Sequence, residues 1–297
     1  MLRRHVLTAA LAAPLAVAAV RPAQAAPRRN IEVRARDGVR LFHRDWGEGR
    51  PVVFAASWGL NSEMWAYQVA ELSEHSLRCI AYDRRGHGRS EMRSEGYDMD
   101  TLADDLAAVI EGLDLKDVVL VGHSMGGAEV IHYLGRHGTS RVGKVALLAP
   151  SAPYLTKTAD NPYGIAPAYF EASIARWRAD FPKWSMDNQP PFFTPQTSPE
   201  MKAWLTDQML STPVPVLIAA FRALVAKDLR PDLARVDRPT LILHGDKDAS
   251  ALLEITGRRV AAGIRGAELK VYEGAPHGLF VTHMDRVNAD LLRFIRA

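Results

Sequence analysis

The chain has 297 residues, 47% of them hydrophobic and 24% charged. That balance provides for a sizeable globular core and excludes a disordered or fibrous chain, and the length suits one large domain with an insertion. The formal charge is only +3, which excludes a strongly basic nucleic-acid surface.

Residues 1–25 stand apart from the expected core. Arg3 and Arg4 precede an apolar run from Val6 to Val20, and Ala23-Gln24-Ala25 fits the small-residue pattern before a signal-peptidase cut. The run is shorter than the ~20 residues that a membrane helix needs. The paired arginines resemble a twin-arginine export signal, although no Ser or Thr precedes them. These features predict cleavage near Ala26, a periplasmic or secreted protein, and no stable membrane insertion once the signal is removed. An anchoring N-terminal helix is the alternative. Without Arg3, Arg4 and Arg21, the 37 basic residues fall to 34 and equal the 34 acidic ones.

Beyond the signal, strand and helix patterns alternate. Ile31 to Arg36 and Val39 to Trp46 read as strands joined by a turn at Asp37-Gly38. Short apolar runs follow at Pro51 to Ala56, Leu77 to Tyr82, Val118 to Val121, Val145 to Leu148 and Thr240 to Leu243, with a last strand at Leu269 to Tyr272. Runs of this kind suit strands buried on both faces of a parallel sheet. Cys79 lies in one of them and, as the single cysteine, is expected to be a buried, inert thiol. Leu102, Leu106, Val109, Ile110 and Leu113 recur at helical spacing, with Asp98 or Asp100 placed to cap. A second helix is predicted from Met125 to near Gly138 and a third from Met284 to Phe294. Such alternation implies a doubly wound α/β sheet.

Residues 151–235 break the pattern. Proline accumulates there, and nearly half of the chain's aromatic residues fall in this stretch. The expectation is a helical cap inserted between two strands, leaving residues 26–150 and 236–297 as the core. Most of its aromatics should pack internally, and the remainder line an apolar pocket.

Gly122-His123-Ser124-Met125-Gly126 follows one strand pattern and opens a helical one. That is the context of a G-x-S-x-G nucleophile elbow, in which small neighbours permit a strained strand-to-helix turn under the serine. The helix N-terminus there favours developing negative charge. A serine hydroxyl needs a base. Of the chain's 10 histidines, His277 follows the last predicted strand, where a loop reaches the sheet's carboxyl edge. His123 lies beside the serine and points elsewhere, and His283 reads as the start of the final helix. The base in turn needs an orienting acid. His244-Gly245-Asp246-Lys247-Asp248 supplies two candidates, with Asp246 suited to closing the turn and Asp248 to reaching the histidine. No spacing of His, Cys and acidic residues suggests a metal site.

The chain resembles the bacterial arylesterase and cofactor-free haloperoxidase branch of the α/β hydrolases. The likeness rests on Asp45-Trp46-Gly47, on Tyr82-Asp83-Arg84-Arg85-Gly86-His87-Gly88-Arg89-Ser90, on the elbow, and on Gly266 to Tyr272 running through Ala275-Pro276-His277-Gly278 to His283. It covers most of residues 39–148 and 239–297. It implies an α/β-hydrolase fold, with a mostly parallel eight-stranded sheet flanked by helices and an inserted helical cap. It further implies Asp248 as the triad acid, and an oxyanion hole made by the backbone N–H groups of Trp58 and Met125. Trp58 and Trp65 keep the family's spacing, but Ala56-Ser57 stands where the family carries His-Gly. Relatives with strong perhydrolysis tend to place proline after that tryptophan, where this chain has Gly59.

The expected function is therefore hydrolysis of small to medium acyl or aryl esters, or lactones, through an acyl-serine intermediate without a metal or organic cofactor. A perhydrolase or a carbon–carbon bond hydrolase on the same triad is the alternative. A non-enzymatic ligand-binding relative is a rival from another class, which an intact triad disfavours. The carboxylate nucleophile of haloalkane dehalogenases and epoxide hydrolases is replaced here by Ser124.

Overall fold

The computed structural model describes residues 31–297, so the expected export signal at residues 1–25 lies outside the described residues. Eight strands form one sheet: β1 (Glu32–Arg34), β2 (Arg40–Trp46), β3 (Arg50–Ala55), β4 (Leu77–Tyr82), β5 (Val118–His123), β6 (Val142–Leu148), β7 (Thr240–Gly245) and β8 (Glu268–Tyr272). Their order is β1-β2-β4-β3-β5-β6-β7-β8. The β1–β2 and β2–β4 pairs are antiparallel and the rest are parallel, as the sequence predicts.

Helices fill the connections: α1 (Ala66–Ser73), α2 (Met99–Gly112), α3 (Met125–His137), α4 (Pro167–Asp187), α5 (Gln189–Phe192), α6 (Pro199–Ser211), α7 (Val214–Ala226), α8 (Arg230–Leu233), α9 (Gly257–Gly263), α10 (Leu279–Thr282) and α11 (Met284–Arg296). Helix α2 starts where the Asp98 carboxylate accepts the Thr101 N–H, the N-cap that spares an otherwise orphaned donor. Helix α3 ends at Gly138 with φ +77°, a left-handed stop that glycine adopts without a Cβ penalty.

The central strands are apolar on both faces because helices cover both. Val53, Leu120, Leu147 and Ile242 pack with Leu106, Ile110, Ile131 and Leu134 of α2 and α3 on one side. Their neighbours Phe54, Val121, Leu148 and Leu243 pack with Leu72, Leu279, Val287 and Leu291 of α1, α10 and α11 on the other. Each such side chain contributes about 1.5–3 kcal/mol on burial. Cys79 is wholly buried in the second layer, and burial pushes its thiol up to about 12.

Strand order reverses around β3, which pairs β4 on one side and β5 on the other. Ligands of open α/β sheets bind in the crevice beyond such a switch point. Here the register sets Ala55 beside Gly122, so the chain leaving β3 and the turn leaving β5 emerge together.

Helices α4 to α8 lie between β6 and β7. Helix α4 is bent at Asp180, whose φ and ψ of −161° and 85° are not helical. Pro182, inside the same helix, lacks the N–H and crowds the preceding turn.

Candidate active site

Ser124 occupies the turn between β5 and α3 at φ 55°, ψ −117°, a conformation that costs a non-glycine residue about 1–3 kcal/mol. The surrounding glycines make the turn possible. A Cβ on Gly126 would meet the Ala55 carbonyl oxygen at 2.2 Å, and one on Gly122 would meet the Gly126 oxygen at 2.5 Å. Helix α3 therefore begins in backbone contact with the end of β3. Met125 is its first residue, so the Met125 N–H has no acceptor within the helix.

His277 and Asp248 come together as expected. The Nδ1 of His277 lies 2.7 Å from Asp248 Oδ2, and both side chains are buried. A carboxylate only accepts, so Nδ1 donates and Nε2 is left as a bare acceptor. The other oxygen, Oδ1, accepts the backbone N–H groups of Ser250 and Ala251 at 2.8 and 2.7 Å. Burial would raise this carboxyl, but electrostatic attraction to the His277 ring and hydrogen bonds from His244 and His277 outweigh it and hold the group well below the usual range. Asp246 instead accepts the Gly274 N–H at 2.7 Å, in the turn.

Two further histidines brace this arrangement. His123 Nε2 donates to the His277 carbonyl at 2.9 Å. Burial, aided by electrostatic coupling to the neighbouring His277 ring, depresses the His123 ring to about 3, so it is neutral. His244 Nε2 donates to the Ala251 carbonyl at 2.7 Å and approaches Asp248 Oδ2 at 3.3 Å. In the sequence, His244 is marked only by following the strand run Thr240 to Leu243.

Ser124 and His277 line one cavity of about 340 Å³, together with Trp58 and helices from residues 167–226. The Ser124 hydroxyl lies 3.1 Å from that of Ser151, a buried residue on the loop after β6. Nothing in the sequence separates Ser151 from other serines, because only the sheet brings the two loops together. Among the described residues lining the cavity there is no Lys, Arg, Asp or Glu. The indole of Trp58 packs on Trp177 at 4.6 Å and Phe221 at 6.0 Å, and its Nε1 donates to the Leu217 carbonyl at 2.8 Å. Gly59 follows at φ +75°, which proline, fixed near −65°, does not reach.

Known proteins share much of this sequence and fold. The alpha/beta hydrolase family matches residues 52–290. The non-heme chloroperoxidase CPO-A1 of Kitasatospora aureofaciens is 41% identical over 271 residues, covering 88% of this chain and 97% of its own. The bifunctional esterase/perhydrolase DCH of Acinetobacter calcoaceticus is 34% identical over 279 residues, covering 89% and 99%. Among solved structures, an esterase from Exiguobacterium antarcticum superposes with a TM-score of 0.87 at 32% identity, covering 91% of this chain and all of that one. The chain belongs to the alpha/beta hydrolase family, in its haloperoxidase and esterase branch.

Proposed function

We propose that the protein hydrolyses uncharged carboxylic esters through an acyl-serine intermediate. The reading rests on one observation above all: a histidine held by a buried carboxylate shares a cavity with a serine on a strained strand-to-helix turn. His277 Nε2 takes the Ser124 proton as the hydroxyl turns from Ser151 toward it and attacks the ester carbonyl. The N–H groups of Trp58 and Met125 receive the oxyanion. The imidazolium, steadied by Asp248, then protonates the leaving alkoxide. Water, deprotonated by the same histidine, releases the acid.

The cavity favours small to medium acyl or aryl esters and lactones. Its walls are aromatic and carry no charged side chain among the described lining residues, so a charged substrate would be desolvated without a partner there. Residues 151–235 serve in this reading as a cap that selects the substrate. Fluorophosphonate should label Ser124, and the protein should cleave neutral aryl esters much faster than their dicarboxylic half-ester analogues. Turnover that survives Ser124→Ala would overturn the reading.

Relatives named for haloperoxidase and perhydrolase activity support a second reaction, in which peroxide replaces water at the acyl-enzyme. Gly59 at φ +75° gives the oxyanion loop a shape that proline would not keep. We therefore expect peracid formation to be weak beside hydrolysis, measured with one acetate ester with and without peroxide. Export is the final part of the proposal, with the active protein beginning near Ala26 outside the cytoplasm. An active protein that retains Met1 would refute it.

A further inference from the structure

Beneath the loop that carries Trp58 lies a fully buried ion pair that the reaction scheme does not use. Arg84, just beyond β4, and Glu129 of α3 have side-chain exposures of 1% and 0%, and they meet at 2.6 Å. Glu129 Oε1 also accepts the Tyr82 hydroxyl at 2.6 Å. Two further guanidinium hydrogens go to backbone: Nη2 donates to the Ala56 carbonyl at 2.7 Å, and Nη1 to the Ser57 carbonyl at 3.3 Å.

The Ser57 carbonyl belongs to the same peptide unit as the Trp58 N–H. That unit is trans, so the two bonds are planar and point in opposite directions. Fixing the oxygen toward Arg84 therefore fixes the direction of the N–H. On the other side, Glu129 lies one helical turn along α3 from Met125. The ion pair thus joins the loop bearing one expected donor to the helix bearing the other. We propose that Arg84 and Glu129 are positioning residues for the oxyanion hole, clamping the Ser57–Trp58 peptide to α3 so that the Trp58 and Met125 N–H groups converge on one oxygen. The assignment rests on the ester-hydrolase reading above.

Residue chemistry favours this role over a purely structural one. A buried ion pair gives little net stability over apolar side chains of similar volume. A planar fork of five donors, however, reaches a carboxylate and two successive carbonyls at once, which a lysine ammonium does not. The guanidinium of Arg84, donating to the Ser57 oxygen, also polarises that peptide and strengthens its N–H as a donor.

The test compares an ester with its thionoester, whose developing charge sits on a larger sulfur that accepts N–H bonds poorly. A well-formed oxyanion hole prefers the oxygen substrate, and a disordered one loses that preference. The double variant Arg84→Met, Glu129→Gln removes both charges together and leaves an amide to meet Tyr82. With its fold checked by circular dichroism, kcat on the oxygen ester should fall by at least about tenfold. KM should hold nearly steady, and the oxygen-to-sulfur preference should shrink. Equal losses on both esters, or an unchanged kcat, would overturn the proposal. If the double variant does not fold, Arg84→Lys carries the test: a reduced preference supports the clamp, and the parental preference refutes it. The unmodified protein is assayed first. Failure of its ester turnover, or of its dependence on Ser124, would count against the functional reading, whereas an unmoved preference in an active enzyme would count against the clamp alone.

Discussion

The turn at Ser124 and the helices between β6 and β7 contribute to one cavity, yet they are built on opposite terms. At the turn, backbone meets backbone, and carbonyl oxygens stand where Cβ atoms of Gly122 and Gly126 would be. In the helices, α4 tolerates a bend at Asp180, and aromatic rings fill space around Trp58. Close backbone contact admits few residues, whereas ring packing admits many of similar volume. The turn should therefore govern whether reaction occurs, and the helices which substrate reacts.

The largest effect should come from the turn itself. Ser124→Ala should lower ester turnover by about 10⁵-fold or more while the fold persists, since residues of such a unit each carry most of its effect. Steady-state assays with circular dichroism are the check, and a variant keeping a tenth of the activity would break the comparison. Next, Asp248→Asn should cost about 10⁴-fold, because an amide beside Nδ1 favours the wrong tautomer of His277. Asp246→Asn should cost far less, since Asp246 bonds a turn N–H. The reverse ranking would move the orienting role to Asp246.

Glycines sharpen the contrast in stability. Gly126→Ala would drive a Cβ into the Ala55 and Ala56 carbonyls at 2.2 and 2.7 Å, so a loss of about 3 kcal/mol or failure to fold is expected. Gly266, with φ +76° and nothing within 4 Å, should lose only about 1–2 kcal/mol on substitution by alanine, from backbone strain alone. Chemical denaturation of both variants measures the gap.

The same contrast explains what the sequence disclosed. Strand runs and the elbow were legible because their constraints are local: two-faced burial leaves continuous apolar runs, and backbone contact leaves glycine. His277 and Asp248 were legible through their order after the strands. Helix α1 was not, because its buried positions are only Gln68 and Leu72, and the Gln68 amide nitrogen donates to the distant Phe280 carbonyl. Ser151, the second contact of His244, and the Arg84–Glu129 pair were equally hidden. Each depends on residues brought together by the sheet, and no spacing along the chain records that.

Acid should weaken the site region before it affects the helical insertion. Burial, then the charge of Arg84, depresses the His87 ring to about 3, matching His123. Both rings stay neutral in the folded protein while the unfolded chain protonates near ~6.5. Between those values the unfolded state binds more protons, so stability is lost as pH falls below about 6.5, by about 2 kcal/mol per ring at about pH 5. Asp248, held low, adds its own loss only in stronger acid. Urea unfolding at neutral and mildly acidic pH should show the decline, and His87→Gln should remove about half of the part due to the two rings. Equal pH dependence in parent and variant would refute the assignment to His87.

The smallest effect on the chemical step should come from the insertion, and Phe221 is the sharpest probe of it. Its ring lines the cavity, packs on Trp177 at 4.8 Å and Phe170 at 5.7 Å, and lies 6.0 Å from the indole of Trp58. Phe221→Leu exchanges a planar ring for a smaller branched side chain and widens the pocket without adding charge. Hydrophobic pockets discriminate by about 1–3 kcal/mol per methylene. Relative kcat/KM across a series of acyl chain lengths should therefore shift toward longer chains by about tenfold, with kcat on the acetate nearly unchanged. The Trp58 backbone is held from below through Ser57 by Arg84, so loosening one ring above it should leave the N–H in place. If Phe221→Leu instead lowered turnover of every ester alike, as Ser124→Ala is expected to do, the division between a reacting turn and a selecting insertion would fail. The aromatic cluster would then have to be counted as part of what holds the loop bearing Trp58.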